Sequence, residues 1–401
     1  MAADKPTILC LTTYEKGQPF LRELARLGCD THLLTVHKLR DADWPRDILA
    51  GLHTMPEDLS ADQALPHIAN LMRHLPIARI VPLDEFDLET AALAREHLRL
   101  PGLGQTATRP FRDKLAMREA AARAGVPVPP FSSVANHDAL YRFLESTEGP
   151  WLLKPRWSAS AIGIHKFSSP NDVWPLLDQL GPAATNHLVE RFLPGDIFHV
   201  EGITFNRELL FAAPHKYGQP PFETMHSGGI FSTRSLNRST EEALALLSIH
   251  AATLRALGMQ NGVTHSEFIR AHADGRFYFL ETAARVGGAY IADVVEHASG
   301  LNPWVEWARI EAALARDEQY QLPPIRHDYA GSLISLARQP WPDTSAYTDP
   351  EIVHRLVKHH HAGLILRSPS ATRIETLLDS YMPRFYTDFH ARLDAPAKPT
   401  A

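Results

Sequence analysis

Residues 263–288 read VTHSEFIRAHADGRFYFLETAARVGG, two apolar stretches joined by a polar turn. The aromatic and β-branched composition of the stretches predicts an antiparallel strand pair over 263–270 and 276–281. Glu267 and Glu281 interrupt the apolar pattern, and a carboxylate at an inward strand position is costly unless it meets a cation. Two such carboxylates facing one cavity would suit Mg²⁺, whose other ligands come from water and phosphate oxygens. The spacing alone fits two exposed strand ends equally well.

Arg285 follows Glu281 by four residues and precedes the pair Gly287 and Gly288. An arginine beside a metal carboxylate and two bare glycines could clamp a phosphoryl or carboxylate group through two hydrogen bonds. The alternative is a first helical turn with a structural arginine–glutamate pair.

Lys154 lies in an apolar predicted strand, 150–157, just before the small-residue loop 158–163. A loop without bulky side chains lets backbone N–H groups approach an anion, and the lysine supplies the opposite charge. This is not a P-loop, because no Gly-Lys-Ser/Thr sequence follows. A hairpin turn whose lysine reaches solvent is the alternative.

Lys114 opens a predicted helix over 111–125, and a helix N-terminus already favours anions. A solvated first turn would explain this lysine equally simply. Further along, Glu190 lies in the segment VERFLPG at 189–195. Its strand edge could pair with adenine, and the residues after Glu190 could supply an apolar wall. The alternative is an ordinary hairpin, in which 187–193 and 197–205 pair around Pro194–Gly195.

Composition and charge exclude several classes of protein. The 401 residues correspond to two or three domains at ~150 residues each, and 40 Lys and Arg against 46 Asp and Glu give a net charge of −6. An acidic chain is a poor nucleic-acid partner. With two cysteines, Cys10 and Cys29, we expect core thiols in a reducing compartment rather than a disulfide framework. No apolar run reaches the ~18 residues of a membrane span, so a cytoplasmic protein is expected.

Five segments stand in an order that resembles the ATP-grasp superfamily: RDKLAMREAAARAGVPVPPF (112–131), WLLKPRWSASAIGIHKF (151–167), HLVERFLPGDIFHVEG (187–202), GVTHSEFI (262–269) and FLETAARVGG (279–288). The resemblance covers roughly residues 80–315. Within the superfamily the chain looks most like the carboxylate–amine ligases of the L-amino acid ligase type, which share a carboxylase-like arrangement.

The resemblance implies an α/β grasp fold. A Rossmann-like pre-grasp domain would occupy 1–110, and its β-α-β opening is visible over 7–36. The ATP-grasp domain would span 111–320 with a small lid at about 150–205. A C-terminal closing subdomain would follow over 321–395.

The resemblance also assigns roles, by position in this sequence. The phosphates of ATP would meet Lys114, Lys154 and a flexible loop that includes Ser158 and Ser160. Adenine would lie against Glu190, Arg191, Phe192 and Leu193, and the ribose against Asp196 or, second, Glu201. Mg²⁺, or Mn²⁺ in its place, would bind Glu267 and Glu281. Arg285 and Lys154 would act in catalysis, and the substrate would contact Glu223, His226, Arg285, Gly287 and Gly288.

One position departs from the superfamily pattern. The usual E-x-N-x-R has Ala283 where an asparagine helps to ligate a second Mg²⁺. Glu281 could still bridge two ions if water and phosphate oxygens completed the shell, so the number of ions stays open.

The implied activity is ATP-dependent amide or peptide bond formation between a small carboxylate and an amine. ATP would convert the carboxylate into an acyl phosphate, and ADP and phosphate would be released. Two alternatives stay open: a carboxylase-like enzyme that activates bicarbonate, and a tailoring ligase that acts on a peptide or a pathway intermediate. The resemblance further implies a homodimer.

Overall fold

The computed structural model describes residues 5–158, 162–220 and 228–392. The strands are β1 (Thr7–Leu11), β2 (Asp30–Val36), β3 (Gly51–Met55), β4 (Ile77–Pro82), β5 (Phe131–Ser133), β6 (Trp151–Pro155), β7 (His165–Phe167), β8 (His187–Arg191), β9 (Gly195–Phe205), β10 (Glu208–Tyr217), β11 (Phe231–Ser235), β12 (Gly262–Ala271), β13 (Phe277–Ala283), β14 (Tyr329–Leu336), β15 (Ile352–Arg355) and β16 (His361–Ser368).

The helices are α1 (Gln18–Arg26), α2 (Ala61–Met72), α3 (Leu88–Leu98), α4 (Gln105–Thr108), α5 (Lys114–Arg123), α6 (His137–Ser146), α7 (Val173–Leu180), α8 (Glu241–Leu257), α9 (Ile291–Ser299), α10 (Pro303–Ala315) and α11 (Ala371–Asp388). Among the helices in the described ranges, none combines the length and the apolar content needed to cross a bilayer.

The N-terminal sheet is parallel, with strand order β3-β2-β1-β4. Strands β1, β2 and β4 are almost continuously buried, as expected where helices cover both faces, whereas the edge strand β3 is mostly half-buried. The predicted β-α-β opening is confirmed by β1, α1 and β2. Cys10 and Cys29 are buried and unpaired, as predicted from their apolar surroundings.

The central sheet has eight antiparallel strands in the order β13-β12-β9-β10-β11-β14-β16-β15. The predicted pair over 263–270 and 276–281 is confirmed as β12 and β13, with Glu267 directly opposite Glu281. This register puts both carboxylates on one face of the sheet, because directly paired residues point to the same side.

A small antiparallel sheet, β5-β8-β6-β7, carries α6 and α7 and has its own apolar core. The predicted hairpin of 187–193 with 197–205 is wrong: β8 pairs with β5 and β6, whereas β9 enters the central sheet between β10 and β12. The alternation of apolar and polar residues showed correctly that both segments are strands. It does not show which strand each of them pairs with. Gly195 opens β9 in contact with β12, where an added Cβ would lie 2.3 Å from the Arg270 carbonyl oxygen.

The N-terminal sheet is joined to the central sheet through α1 and α10. Phe20 on α1 meets Trp307 on α10 edge-to-face, with ring centroids 5.2 Å apart. Ile203 and Phe205, at the end of β9, belong to the same core. This shared core fixes the loop after β4 against the central sheet.

We expect Phe20→Ala to lower the free energy of unfolding by about 3–5 kcal/mol, because it empties a fully buried site between the two layers. Chemical denaturation measures the change. Leu244→Ala is the control, since Leu244 is 57% exposed and its truncation should stay within about 0.5 kcal/mol of wild type. Equal effects of the two substitutions would contradict the shared core.

Candidate functional site

The candidate site lies where the start of α5, the small sheet and the β12–β13 pair meet. Lys114 Nζ is 2.8 Å from Glu281 Oε2, and it donates a hydrogen bond of 2.6 Å to the Ser158 carbonyl. Lys154 Nζ is 2.6 Å from Glu190 Oε1. Residues far apart in sequence therefore meet in two ion pairs, which contain both predicted lysines and one predicted metal carboxylate.

Asp113 positions the start of α5. Its side chain caps the helix by accepting from the Leu115 N–H, and it also accepts from Arg156 Nε at 2.8 Å. The cap leaves Lys114 in the first turn, pointing to Glu281. Since Arg156 follows β6 by one residue, the same ion pair ties the helix to the small sheet.

A buried ion triad holds Lys154 in place. Both oxygens of Glu190 are engaged, one by Lys154 and the other by Arg118 Nε at 2.7 Å. Burial alone would raise the pKa of Glu190, but the two cations lower it. The sequence reasoning missed Arg118, whose one available signal was its position four residues after Lys114 on the same helix face.

The other residues predicted to hold adenine and ribose follow Glu190 in the chain, and each has its own contacts. Arg191 faces Glu148 at 3.8 Å, at the surface. Lys166 Nζ lies 3.7 Å from the centroid of the Phe192 ring, and Leu193 is half-buried. Asp196 is half-exposed and pairs with Lys216 at 2.7 Å. The contacts of Glu190, Arg191, Phe192 and Leu193 with adenine stay predictions.

Glu267 and Glu281 face each other across β12 and β13. Like charges placed directly opposite destabilise a sheet unless a cation or a hydrogen-bond donor compensates. Lys114 compensates Glu281, and the Tyr217 hydroxyl donates to Glu267 Oε1 at 2.9 Å. Two carboxylates on one face form an oxygen donor set of the kind that Mg²⁺ takes, so the residues present fit that ion.

Glu201 lies inside the central sheet. Its Oε1 accepts from His199 Nδ1 at 2.8 Å and from His265 Nδ1 at 2.6 Å. Burial alone would raise the pKa of Glu201, but the histidines hold it well below its usual range. Burial would lower the pKa of His265, but Glu201 raises it to about 10. Glu201 is only 2% exposed, so Asp196 is the more accessible of the two residues predicted for the ribose.

Arg285 connects the site to the N-terminal sheet. Its guanidinium donates to Glu85 Oε1 at 2.7 Å and to the Val286 carbonyl at 2.8 Å. Glu85 follows β4, and the sequence reasoning missed it because nothing in its local pattern names a partner 200 residues away. Burial alone would raise the pKa of Glu85, but Arg285 lowers it to about 2.

The two glycines after Arg285 differ in their surroundings. Gly287 is buried, and an added Cβ would lie 3.0 Å from both Glu201 Oε2 and His265 Nδ1. Gly288 is exposed, with open space around it. Ala289 and Tyr290 follow with left-handed φ angles of 50° and 58°. The predicted substrate residues Glu223 and His226, and the loop residue Ser160, lie outside the described residues.

No protein-family model matches the chain. Solved structures match nearly all of it. An L-amino acid ligase from Bacillus licheniformis superposes with a TM-score of 0.74 at 18% identity, covering 97% of this chain and 99% of that one. A biotin carboxylase domain of Hydrogenobacter thermophilus 2-oxoglutarate carboxylase, in complex with MgADP and bicarbonate, gives 0.72 at 16% identity, covering 93% and 88%. The chain has the ATP-grasp fold.

Curated relatives of the chain confirm the resemblance to the L-amino acid ligases. An L-arginine-specific L-amino acid ligase of Bacillus subtilis is 23% identical over 256 residues, which cover 62% of this chain and 61% of the relative. An alanine–anticapsin ligase of Bacillus subtilis (strain 168) is 26% identical over 279 residues, covering 62% and 56%. The matches span about three-fifths of the curated relatives' length.

We expect Glu85→Gln to destabilise the protein in a pH-dependent way. The folded-state pKa of Glu85 is lowered to about 2, against about 4.3 in an unfolded chain. The stabilisation is therefore present above the unfolded value and is lost as the pH falls through the folded one. The substitution should cost about 3–5 kcal/mol at pH 7, because it leaves Arg285 unpaired, and about 1–2 kcal/mol less at pH 3.

Urea unfolding of wild type and variant at both pH values measures this difference. Asp41→Asn is the control, since Asp41 is almost fully exposed and only 3.8 Å from Arg46. It should change stability by less than about 1 kcal/mol at either pH. A cost of Glu85→Gln that is equal at pH 7 and pH 3 would show that the Glu85 charge does not stabilise the fold.

Proposed function

We propose that the protein is an ATP-dependent carboxylate–amine ligase. It joins a small carboxylate, an amino acid, to the amine of a second small molecule through an acyl phosphate, and it releases ADP and phosphate. The observation that carries the proposal is the facing pair Glu267 and Glu281, with the Lys114 ammonium 2.8 Å from Glu281. The similarity to the two ligases of Bacillus subtilis supports it.

The chemistry needs charge neutralisation and positioning more than it needs covalent participation by the protein. A carboxylate does not react with an amine at a useful rate, because oxide is a poor leaving group. One carboxylate oxygen attacks the γ-phosphorus of ATP, and ADP leaves. The amine nitrogen then attacks the acyl carbon and loses a proton, and phosphate leaves with the former carboxylate oxygen.

Each of the predicted site residues would have its own role in this reaction. Lys114 and Lys154 would neutralise the phosphates, and Arg285 would hold the transferred phosphoryl group and the carboxylate that receives it. Glu267 and Glu281 would hold Mg²⁺, which supplies charge neutralisation at the phosphate oxygens when bound. The Gly287 and Gly288 amides would face the oxyanion that forms when the amine attacks the acyl carbon.

We propose that the small sheet with α6 and α7 is the lid over ATP. It carries Lys154 and Glu190, and its core is separate from the other layers. Since Lys154 reaches the site from this sheet, closure would complete the set of cations and exclude the water that would hydrolyse an acyl phosphate. We also propose that Glu223 and His226 contact the substrate. The protein would further be a homodimer and would be located in the cytoplasm.

The direct test is ADP and phosphate release with Mg-ATP across amino acids, singly and in pairs, with bicarbonate in a separate arm. We expect turnover that depends on an amino acid, together with a product whose mass equals both substrates less one water. Turnover with bicarbonate alone would contradict the ligase and support the carboxylase-like alternative, whose structural basis is the similarity to the biotin carboxylase domain.

Glu281→Gln should lower ADP release by about 100-fold or more, since a metal carboxylate accounts for several kcal/mol of charge stabilisation. Glu242→Gln is the matched control: Glu242 pairs with Arg270 at 2.7 Å on the surface, and its loss should leave turnover unchanged. Steady-state rates of ADP release by the two variants test this prediction. Unchanged turnover in Glu281→Gln would remove Glu281 from the metal site.

A further inference from the structure

A row of buried polar side chains crosses the central sheet beneath Glu267. His199 and Glu201 on β9 lie opposite Glu267 and His265 on β12, respectively. Tyr217, at the end of β10, reaches the same face, where its ring centroid lies 4.5 Å from that of His199. Burying so many polar groups is costly unless their hydrogen bonds are satisfied, so the arrangement calls for an explanation.

Hydrogen bonds connect His199, Glu201 and His265, and an ion-pair contact leads from His265 to Glu267 Oε1. His199 Nε2 is 2.6 Å from Thr233 Oγ1, and its Nδ1 donates to Glu201 Oε1. Glu201 Oε1 also accepts from His265 Nδ1. That contact turns the opposite ring nitrogen, His265 Nε2, toward Glu267 Oε1, 3.5 Å away.

Tyr217 approaches the same oxygen from β10. Its hydroxyl donates to Glu267 Oε1 at 2.9 Å and lies 3.5 Å from His265 Nε2. Two groups from different strands therefore converge on Oε1. The terminal torsion of a glutamate is broad and roughly two-fold, so a donor fixed on one oxygen selects one orientation of the carboxylate.

We propose that Tyr217 and His265 are positioning residues that hold Glu267 Oε1 and thereby present Oε2 to the metal ion. The inference rests on the proposed function, in which Glu267 binds Mg²⁺. Glu201 anchors His265 from below, and the backbone of Gly287 packs against both, where an added Cβ would lie 3.0 Å from each. Hydrogen bonds behind a metal ligand commonly determine metal affinity.

The partner carboxylate is held differently. Glu281 pairs at Oε2 with the Lys114 ammonium at 2.8 Å, whereas Glu267 Oε1 accepts from the Tyr217 hydroxyl and has the His265 imidazole 3.5 Å away. Tyr217→Phe removes a single oxygen atom at this contact. The substitution therefore tests the orientation of Glu267 without changing the packing of the ring, which stays against His199 and Phe231.

The experiment compares Tyr217→Phe and His265→Asn with wild type in Mg²⁺ titrations of ATP turnover and in Mn²⁺ electron paramagnetic resonance with ATP. We expect KM for Mg²⁺ to rise about 10-fold or more, kcat at saturating Mg²⁺ to change much less, and the bound-Mn²⁺ spectrum to change. Tyr320→Phe is the matched control. The buried Tyr320 hydroxyl also donates to a buried glutamate, Glu306, at 2.7 Å, and its loss should affect thermal stability alone.

Unchanged KM for Mg²⁺ and an unchanged Mn²⁺ spectrum in both variants would overturn the positioning role. An equal rise in KM in Tyr320→Phe would overturn it too, because the effect would then be one of general stability. Stoichiometric zinc that disappears in His199→Asn would overturn it as well, since the ligand atoms of His199, Glu201 and His265 lie within 4.8 Å of one another and His265 would then be a ligand. A wild-type protein that binds no Mn²⁺ with ATP would instead refute the proposed function.

Discussion

The facing carboxylates of Glu267 and Glu281 are the constraint on which the site depends. Neighbouring strands place them side by side, and that position is unfavourable unless positive charge or donors surround it. Lys114 supplies charge from α5, the Tyr217 hydroxyl donates a hydrogen bond from β10, and the His265 imidazole lies 3.5 Å from Glu267 on β12. The fold around the pair can be understood as the set of elements that bring these groups to it.

Two further layers hold the other cations of the proposed site. The small sheet brings Lys154, with the Arg118–Glu190 pair fixing its ammonium. The N-terminal sheet brings Glu85, which orients Arg285. The core around Phe20 and Trp307 packs that sheet against the central one. Phosphoryl transfer requires such positioning, because its transition state spreads charge over several oxygens at once.

The sequence predicted strand positions well where the pattern was strong, as in β12 and β13, and it singled out Lys154, Glu267 and Glu281 as charged residues within apolar stretches. It did not predict contacts between residues that are far apart in the sequence. Alternation cannot show that β8 and β9 enter different sheets, and no local pattern pairs Glu85 with Arg285 or Arg118 with Glu190. Nothing in the local sequence singles out Tyr217, because its contact with Glu267 follows only from the register of β9, β10 and β12.

In the proposed mechanism, a substrate carboxylate is activated as an acyl phosphate. The most direct measurement uses the amino acid that supports turnover, labelled with ¹⁸O in its carboxylate, and mass spectrometry of the phosphate released. The account predicts one ¹⁸O atom in each phosphate that accompanies the condensed product, because the carboxylate oxygen leaves with the phosphoryl group. Phosphate without ¹⁸O, released at the same rate as ADP, would contradict it.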